Sequence, residues 1–167
     1  MFTSLDEFLT DWQFESEKTQ QALDLLTDAS LAQEMYPGGR TLGRLAWHIA
    51  QTLPEMMGRT GLAVQGVGEH APVPATAAEI AAGYRAASAS LVEQLRATWT
   101  DATLAVTDDM YGETWPRAMT LMALVGHQTH HRGQLTVLMR QAGLRVPGIY
   151  GPAQEDWAQM GMQPPEI

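Results

Sequence analysis

Apolar residues recur every three or four positions over most of this chain, and that spacing constrains its fold more than any other feature. Runs of this kind cover residues 4–28, 41–56, 76–98 and 115–142. Because an α-helix turns once every 3.6 residues, residues spaced in this way line one face, and that face has to be buried. Four long amphipathic helices in 167 residues predict an all-α fold, an antiparallel four-helix bundle with a short C-terminal fifth helix.

The predicted helix ends carry recognisable capping residues. Ser4-Leu5-Asp6-Glu7 and Thr76-Ala77-Ala78-Glu79 have the form of capping boxes, in which the hydroxyl and the carboxylate each accept a free backbone N–H. Gly143 suits the position just after the fourth helix. Pro54 is expected to kink or end the second helix, because proline removes one backbone donor and clashes with the preceding turn.

The segments between these helices are predicted to be irregular. Residues 58–75 are rich in Gly and Pro and form the longest loop, which makes it a candidate lid or substrate rim. Residues 100–113 are expected to be irregular apart from a short β-like run at 104–106. A fifth helix is expected to begin at Gly151-Pro152 and to reach Trp157. Length and continuity predict a single domain over residues 1–167.

Charge and composition exclude several classes of partner. Ten Lys and Arg residues against nineteen Asp and Glu give a net charge of −9. Neither a nucleic acid nor an anionic membrane surface is an expected partner, because both require clustered cations. The N-terminus lacks the apolar core of a signal peptide, and no apolar run reaches the roughly 20 residues of a membrane span. A cytoplasmic location is therefore the expectation, and the chain contains no cysteine.

Three of the five histidines fall within GHQTHHRGQL, residues 126–135. On a helix, His131 lies inside the apolar stripe of this segment, His127 lies at its margin, and His130 points further toward solvent. His127 and His131 are one turn apart, the spacing with which two imidazoles converge on one ion in helical zinc sites. The pair therefore indicates a metal site on the inner face of the fourth helix.

Two imidazoles seldom bind a metal tightly, so a third ligand is expected from another helix. His48 is the obvious donor, because it lies mid-helix beside the Leu45 and Ile49 stripe. The same flank carries four polar residues, which places the site on the inner wall of the bundle with one side open to solvent. They are Arg44, Gln51, Thr52 and Glu55.

A purely structural interpretation competes with this one. An isolated histidine beside an apolar face is usually just hydrogen-bonded, and this holds for His48 taken alone. Two inward-facing imidazoles repel each other when charged, and each needs a partner, because an unsatisfied buried polar group costs roughly 1–3 kcal/mol. One shared cation removes both problems. Arg132 and Gln134 could orient the ligands from behind, although a structural ion pair or helix cap is at least as good an interpretation.

These residues resemble the DinB-like (YfiT-like) metalloprotein superfamily. The resemblance is carried by His48 in RLAWHIAQ, by the H-x-x-x-H-R-G-Q motif at 127–134 and by the helix ending LMRQAG. It implies a four-helix bundle whose ligands for one divalent metal ion, nickel or zinc, are His48, His127 and His131. It also implies a homodimer. Some relatives are transferases that use bacillithiol or mycothiol, others isomerise maleylpyruvate, and many have no assigned activity.

The leading functional hypothesis is a metal-dependent S-transferase for detoxification or stress response. Three histidines leave coordination positions open, as in catalytic sites, and a bound metal lowers the pKa of a thiol or a water. A low-molecular-weight thiol would then attack an electrophile. The alternatives are a metal-dependent hydrolase and a non-enzymatic protein whose metal staples the bundle. No general base is identified, since the simpler interpretation of Glu55 is a solvated carboxylate.

Overall fold

A computed structural model of the chain, which describes residues 1–68 and 70–166, confirms the helical bundle. Four long helices dominate, followed by one short helix and interrupted by a small β-hairpin. The helices are α1 (Leu5–Leu23), α2 (Leu42–Gly58), α3 (Ala77–Thr98), α4 (Arg117–Gln141) and α5 (Asp156–Gln159). The strands are β1 (Thr107–Met110) and β2 (Glu113–Pro116).

The packing order around the bundle determines which side chains can meet. Helices α1 and α2 each pack against both α3 and α4, so α1 and α2 occupy opposite corners. The apolar stripes meet in one core, in which Phe8, Ile80, Leu121 and Leu135 are completely buried. Burial of one such side chain contributes roughly 1.5–3 kcal/mol. Helix α4 consequently presents one side to α2 and another side to α1.

The helix starts follow the predicted capping chemistry closely. The Ser4 hydroxyl accepts the Glu7 N–H at 3.1 Å, but the Glu7 carboxylate accepts the N–H of Thr3 rather than that of Ser4. Thr76 and Glu79 form the complete capping box, and the Thr41 hydroxyl accepts the Arg44 N–H at 3.2 Å. Gly143 has a positive φ of 75° directly after α4, as its predicted role requires.

One predicted helix end was wrong, and one of the two effects expected of Pro54 is absent. Helix α1 stops at Leu23, and residues 24–28 do not continue it, because the Thr27 hydroxyl caps a separate 3₁₀ turn over Asp28–Ala32. Pro54 does not end α2, which continues for a further turn to Gly58. That last turn buries Met56 and Met57 against the core, and this burial offsets the hydrogen bond that Pro54 cannot make.

The β-like run predicted at 104–106 was also misplaced. Leu104 and Ala105 belong to a 3₁₀ turn, and the strands β1 and β2 come directly afterwards as an antiparallel hairpin. Tyr111 and Gly112 form its two-residue connection with φ values of 60° and 88°. Such a tight hairpin turn requires positive φ at both residues. The strand β1 reads Thr-Asp-Asp-Met, without the apolar alternation that would have revealed it.

The Gly/Pro-rich loop between α2 and α3 is attached to the polar face of α2. The Gln51 amide nitrogen donates to the carbonyl oxygens of Gly68 and Ala71 at 2.8 and 3.2 Å. Gly66 lies so close to Pro54 that a Cβ there would come within 2.7 Å of the ring. The loop is therefore held beside the middle of α2.

The end of the chain and the lengths of the helices complete the fold. The fifth helix is a single turn that begins at Asp156, later than predicted, and the segment at Gly151-Pro152 is not helical. None of the described helices combines the length and the apolar character needed to cross a bilayer.

Candidate metal centre

Three histidine rings from two helices meet on the side of the bundle where α2 faces α4. The centroid of the His48 ring lies 5.0 Å from that of His127 and 4.8 Å from that of His131. The rings of His127 and His131 are 4.4 Å apart. One ring nitrogen from each residue lies within 4.8 Å of the other two, so the three histidines could hold one metal ion.

The helical spacing places these rings as the sequence suggested. His131 is buried, with 9% of its surface exposed. His127 is half-buried one turn earlier on α4, and His48 is half-buried on α2. His130 and His70 are exposed, although the ring of His130 stacks edge-on against His131 at 4.9 Å.

The environment keeps all three imidazoles neutral at physiological pH. Burial, together with the neighbouring His131 and His127, lowers the pKa of His48 to about 4. Burial likewise lowers the pKa of His127 to about 4 and lowers the pKa of His131. The positive charge of Arg40 contributes to all three shifts. Neutral imidazole is the form that binds a metal.

Hydrogen bonding leaves available the ring nitrogens that could bind a metal. Nδ1 of His131 lies 2.7 Å from Oε1 of Gln134, so this nitrogen carries the proton and Nε2 has a free lone pair. Within residues 1–68 and 70–166, no hydrogen bond reaches the ring nitrogens of His48 or His127. Gln134 thus has the orienting position that the sequence suggested for it.

The donor set fits a divalent ion. Metal–nitrogen bonds of about 2.0–2.1 Å in tetrahedral geometry place the ligand nitrogens about 3.3 Å apart. Nitrogens within 4.8 Å of one another reach that spacing through small rotations of the rings. Three half-buried or buried neutral imidazoles without competing partners are therefore suited to zinc or nickel.

A polar pocket of about 230 Å³ opens beside His48. Most of its wall is the polar face of α2, which is formed by lining residues spaced three or four positions apart in the sequence. The rest comes from the segment before α2 and from the Gly/Pro-rich loop, which contributes His70 as the predicted rim. The lining residues are Arg40, Arg44, His48, Gln51, Thr52, Glu55 and His70.

Glu55 is not the solvated carboxylate that the sequence suggested. Its side chain is 20% exposed, and one oxygen accepts from Arg59 at 2.9 Å. The other oxygen accepts the hydroxyl of Tyr111 at 2.8 Å, and the Arg59 guanidinium lies 4.2 Å from the Tyr111 ring centre. Sequence reasoning missed Tyr111, because the hairpin that carries it to α2 has no clear signal in the sequence.

Arg132 does not touch the histidines, and the structural ion pair is the correct alternative for this residue. Its guanidinium donates to Oε2 of Glu15 at 2.6 Å, to the Glu15 carbonyl oxygen at 2.9 Å and to the Tyr150 hydroxyl at 2.7 Å. Tyr150 in turn donates to Oε1 of Glu15 at 2.7 Å. We call Arg132, Glu15 and Tyr150 the Arg132 cluster. The sequence did carry a signal for it, since Glu15 interrupts the apolar stripe of α1.

Known proteins resemble this chain over its whole length. The family model described as the DinB family matches residues 1–166. An uncharacterized protein of Bacillus subtilis strain 168, YrdA, is 48% identical over 167 residues, which is all of both chains. A crystal structure of a DinB-like protein from Bacillus cereus ATCC 10987 superimposes with a TM-score of 0.88 at 49% identity, and the match covers 90% of this chain and all of that one. The match of sequence, of fold and of the family model leads to one conclusion: this chain belongs to the DinB family.

Proposed function

We propose that this protein is a divalent-metal-dependent enzyme and that it transfers a low-molecular-weight thiol of the bacillithiol type to an electrophile. The observation that carries the proposal is the convergence of His48, His127 and His131 beside an open polar pocket. Closed structural metal sites use four protein ligands, whereas catalytic sites keep a position for water or substrate. Membership of the DinB family supports the metal but leaves the reaction open.

The residues of this chain have distinct roles in the proposed reaction. A divalent ion, zinc or nickel, lowers the pKa of a thiol that it binds. His48, His127 and His131 hold the ion, and Gln134 fixes the orientation of His131 by accepting its Nδ1 proton. Placing two ligands one turn apart on α4 and the third on α2 makes the site depend on correct packing of the bundle.

The pocket supplies an acceptor for the thiol proton. Glu55 is the carboxylate among the described lining residues, and Tyr111 and Arg59 hold it at the edge of the pocket. In the proposed reaction the S–H proton passes to Glu55, the sulfur forms a bond to the electrophilic carbon, and the leaving group departs with its bonding electrons. Neither atoms nor electrons are required from another reactant.

Metal analysis of protein purified without a polyhistidine tag tests the metal site. We expect one zinc or nickel ion per chain in the wild type and loss of that ion in His131→Ala. His130→Ala is the matched control, because His130 is adjacent in sequence and exposed, so it should retain the metal. Equal metal content in all three proteins would contradict the site.

Turnover of a chloro-nitroaromatic electrophile tests the reaction. We expect product from the metal-loaded protein only when bacillithiol is present, and none from His131→Ala. Equal turnover without any thiol would contradict the transferase and favour a hydrolase. Bound metal without turnover, together with a large loss of thermal stability in His131→Ala, would favour the structural staple.

We further propose that the protein acts in the cytoplasm as a homodimer. Support for a dimer comes from the outer face of α4, which carries exposed residues without charge at helical spacing. These residues are Met122, Gly126, His130, Gly133 and Val137. Sedimentation analysis should give twice the chain mass for the wild type and a shift toward the monomer for Val137→Lys.

A further inference from the structure

The pocket beside the histidines is unusually rich in cations for so acidic a protein. The chain has ten Lys and Arg residues and a net charge of −9, yet two of those ten, Arg40 and Arg44, line this one pocket of about 230 Å³. Cations placed at a concave site in an otherwise acidic protein concentrate anions there and disfavour cationic ligands. The two arginines therefore suggest that the pocket binds an anionic ligand.

The Arg40 guanidinium has no fixed role in the fold. Its side chain is exposed, and within residues 1–68 and 70–166 it makes no hydrogen bond or ion pair. Its backbone, in contrast, is fixed, because its carbonyl oxygen accepts the Met35 N–H at 3.0 Å and the next residue, Thr41, pairs with Glu34 in an isolated β-bridge. Arg40 is thus a cation held at the pocket with all five of its N–H donors available.

Arg44 adds a second guanidinium with spare donors. One of its nitrogens donates to Oε1 of Gln51 at 2.9 Å, and that amide also attaches the Gly/Pro-rich loop. The hydrogen bond fixes the direction of the side chain and leaves its remaining donors for a ligand. Arg44 lies four residues before His48, which is about 6 Å along the helix axis.

The negative charge at the other end of the pocket is already compensated. Glu55 is paired with Arg59 and hydrogen-bonded to Tyr111, so it does not neutralise Arg40 or Arg44. Among the described lining residues, the end toward the start of α2 is therefore positive. A planar guanidinium binds a carboxylate through two parallel hydrogen bonds, which gives both affinity and orientation.

We propose that Arg40 and Arg44 form a carboxylate-binding subsite, and that the thiol used by this protein carries a carboxylate roughly one helical turn from its sulfur. This inference rests on the proposed function, since it assigns the substrate class of the same site. The sulfur occupies the open position at His48, His127 and His131, and the carboxylate lies against the two guanidinium groups. Neutral or cationic thiols of the same length lack this second contact.

Two thiols of equal length test the subsite by binding alone. The protein is loaded with cobalt(II), and the charge-transfer absorption of a cobalt-bound thiolate reports binding of 6-mercaptohexanoate and of 6-mercaptohexanol. We expect the wild type to bind the acid about tenfold more tightly than the alcohol, as one charge-assisted contact provides. In Arg40→Gln that preference should largely disappear, because binding of the acid weakens toward that of the alcohol.

Two further variants complete the design. Arg44→Gln should also reduce the preference for the acid. However, Arg44 also supports the Gly/Pro-rich loop through Gln51, so a change there can alter the loop as well. Arg40→Gln therefore tests the subsite more directly. Arg96→Gln is the matched control, since Arg96 is an exposed arginine on α3 in the groove facing α1, and it should keep the full preference.

The possible outcomes distinguish a failure of the carboxylate subsite from a failure of the proposed function. If neither thiol gives the absorption, the proposed function is wrong, and the subsite falls with it. If both thiols bind the wild type equally, or if Arg40→Gln keeps the full preference, the metal and thiol chemistry stands and the carboxylate subsite is wrong. A tenfold preference that is lost in Arg40→Gln and kept in Arg96→Gln supports the inference.

Discussion

Two polar clusters lie on opposite sides of helix α4, and they are anchored by consecutive residues. His131 turns toward α2 and meets His48 and His127. Arg132 turns toward α1 and meets Glu15 and Tyr150. Both side chains are buried, with 9% and 1% of their surfaces exposed. The two clusters are anchored on the same helix by buried polar side chains, but they differ in their hydrogen bonding.

The Arg132 cluster is complete without any further component. Its guanidinium donates to Glu15, Thr19 and Tyr150, and both carboxylate oxygens of Glu15 accept hydrogen bonds. In the histidine cluster, by contrast, the one hydrogen bond to a ring nitrogen is that between His131 and Gln134, as far as the described residues go. Burial lowers the pKa of each histidine, and in His131 the hydrogen bond to Gln134 opposes that shift without cancelling it.

This difference in hydrogen bonding distinguishes a structural cluster from a candidate ligand site within one protein. A buried polar group without a partner costs about 1–3 kcal/mol. Within the described residues no hydrogen bond reaches the half-buried rings of His48 and His127, and His131 uses only Nδ1. Three ring nitrogens that face one point are therefore suited to a component supplied from outside. The buried ion pair of Arg132 and Glu15, in which both terminal guanidinium nitrogens and both carboxylate oxygens are hydrogen-bonded, needs nothing more.

Removal of one partner should be most costly in the Arg132 cluster. We expect Glu15→Ala to lower the free energy of unfolding by about 3–5 kcal/mol, because it leaves a buried guanidinium without its counter-charge. Urea denaturation measures this change. Glu17→Ala, on the exposed face of the same helix, should stay within about 0.5 kcal/mol of the wild type.

The double variant Glu15→Leu/Arg132→Met sharpens that test. Apolar side chains of similar volume avoid the desolvation of both charges, so the double variant should be more stable than either single change. If Glu15→Ala instead unfolds no more readily than Glu17→Ala, the Arg132 cluster is not structural and the comparison fails.

Added metal should stabilise the protein through the histidine cluster alone. At a free zinc concentration about 100 times the Kd, we expect the free energy of unfolding to rise by about 2.7 kcal/mol. Glu15→Ala should show the same increase, measured from its own lower baseline, because the Arg132 cluster takes no part in binding. His48→Ala should show almost none, and an undiminished increase in that variant would exclude His48 as a ligand.

Gln134 should matter for metal affinity and little for folding. Gln134→Leu removes the acceptor of the His131 Nδ1 proton, and loss of such a supporting contact weakens metal affinity about 10- to 100-fold. Competition with a chelator measures the Kd. Thr136→Val, two residues further along α4, is the control and should leave the Kd unchanged. Equal affinities in the two variants would show that Gln134 does not orient the ligand.

The metal-free protein should lose stability as the pH falls from about 7 to 5. The pKa of both His48 and His127 is about 4 in the folded chain, against an ordinary value of 6.5 for an exposed histidine. Over this range the unfolded state takes up protons that the folded state does not, so the free energy of unfolding decreases with falling pH.

Substitution of these rings provides the control for the pH dependence. In His48→Gln/His127→Gln the fall in stability between pH 7 and pH 5 should be shallower than in the wild type, as measured by urea denaturation at each pH. Identical slopes would mean that the imidazoles are not kept neutral in the folded state. Below pH 5 the carboxylates also titrate, so the comparison is made above that value.

Local chemistry made a large part of this fold and site predictable. Helix positions follow from apolar spacing, the cap at Thr76 follows from its box with Glu79, and the inward direction of His131 follows from its register with Leu124 and Leu135. The errors fell where local signals were weak or were outweighed by packing. Pro54 was accommodated because the turn after it buries two methionines, and the hairpin around Tyr111 depends on backbone geometry rather than on an apolar pattern.

Which residues share a helix face follows from their order in the chain, because the period of a helix is a property of neighbouring residues. That was sufficient to place His127 beside His131 and to mark Glu15 as a charge in an apolar stripe. Tertiary packing places α4 between α1 and α2. It thereby brings Glu15 to Arg132, 117 positions away, and Tyr111 to Glu55. The physical reason is that contacts between distant residues depend on how apolar faces pack around one core, and no local spacing encodes that choice.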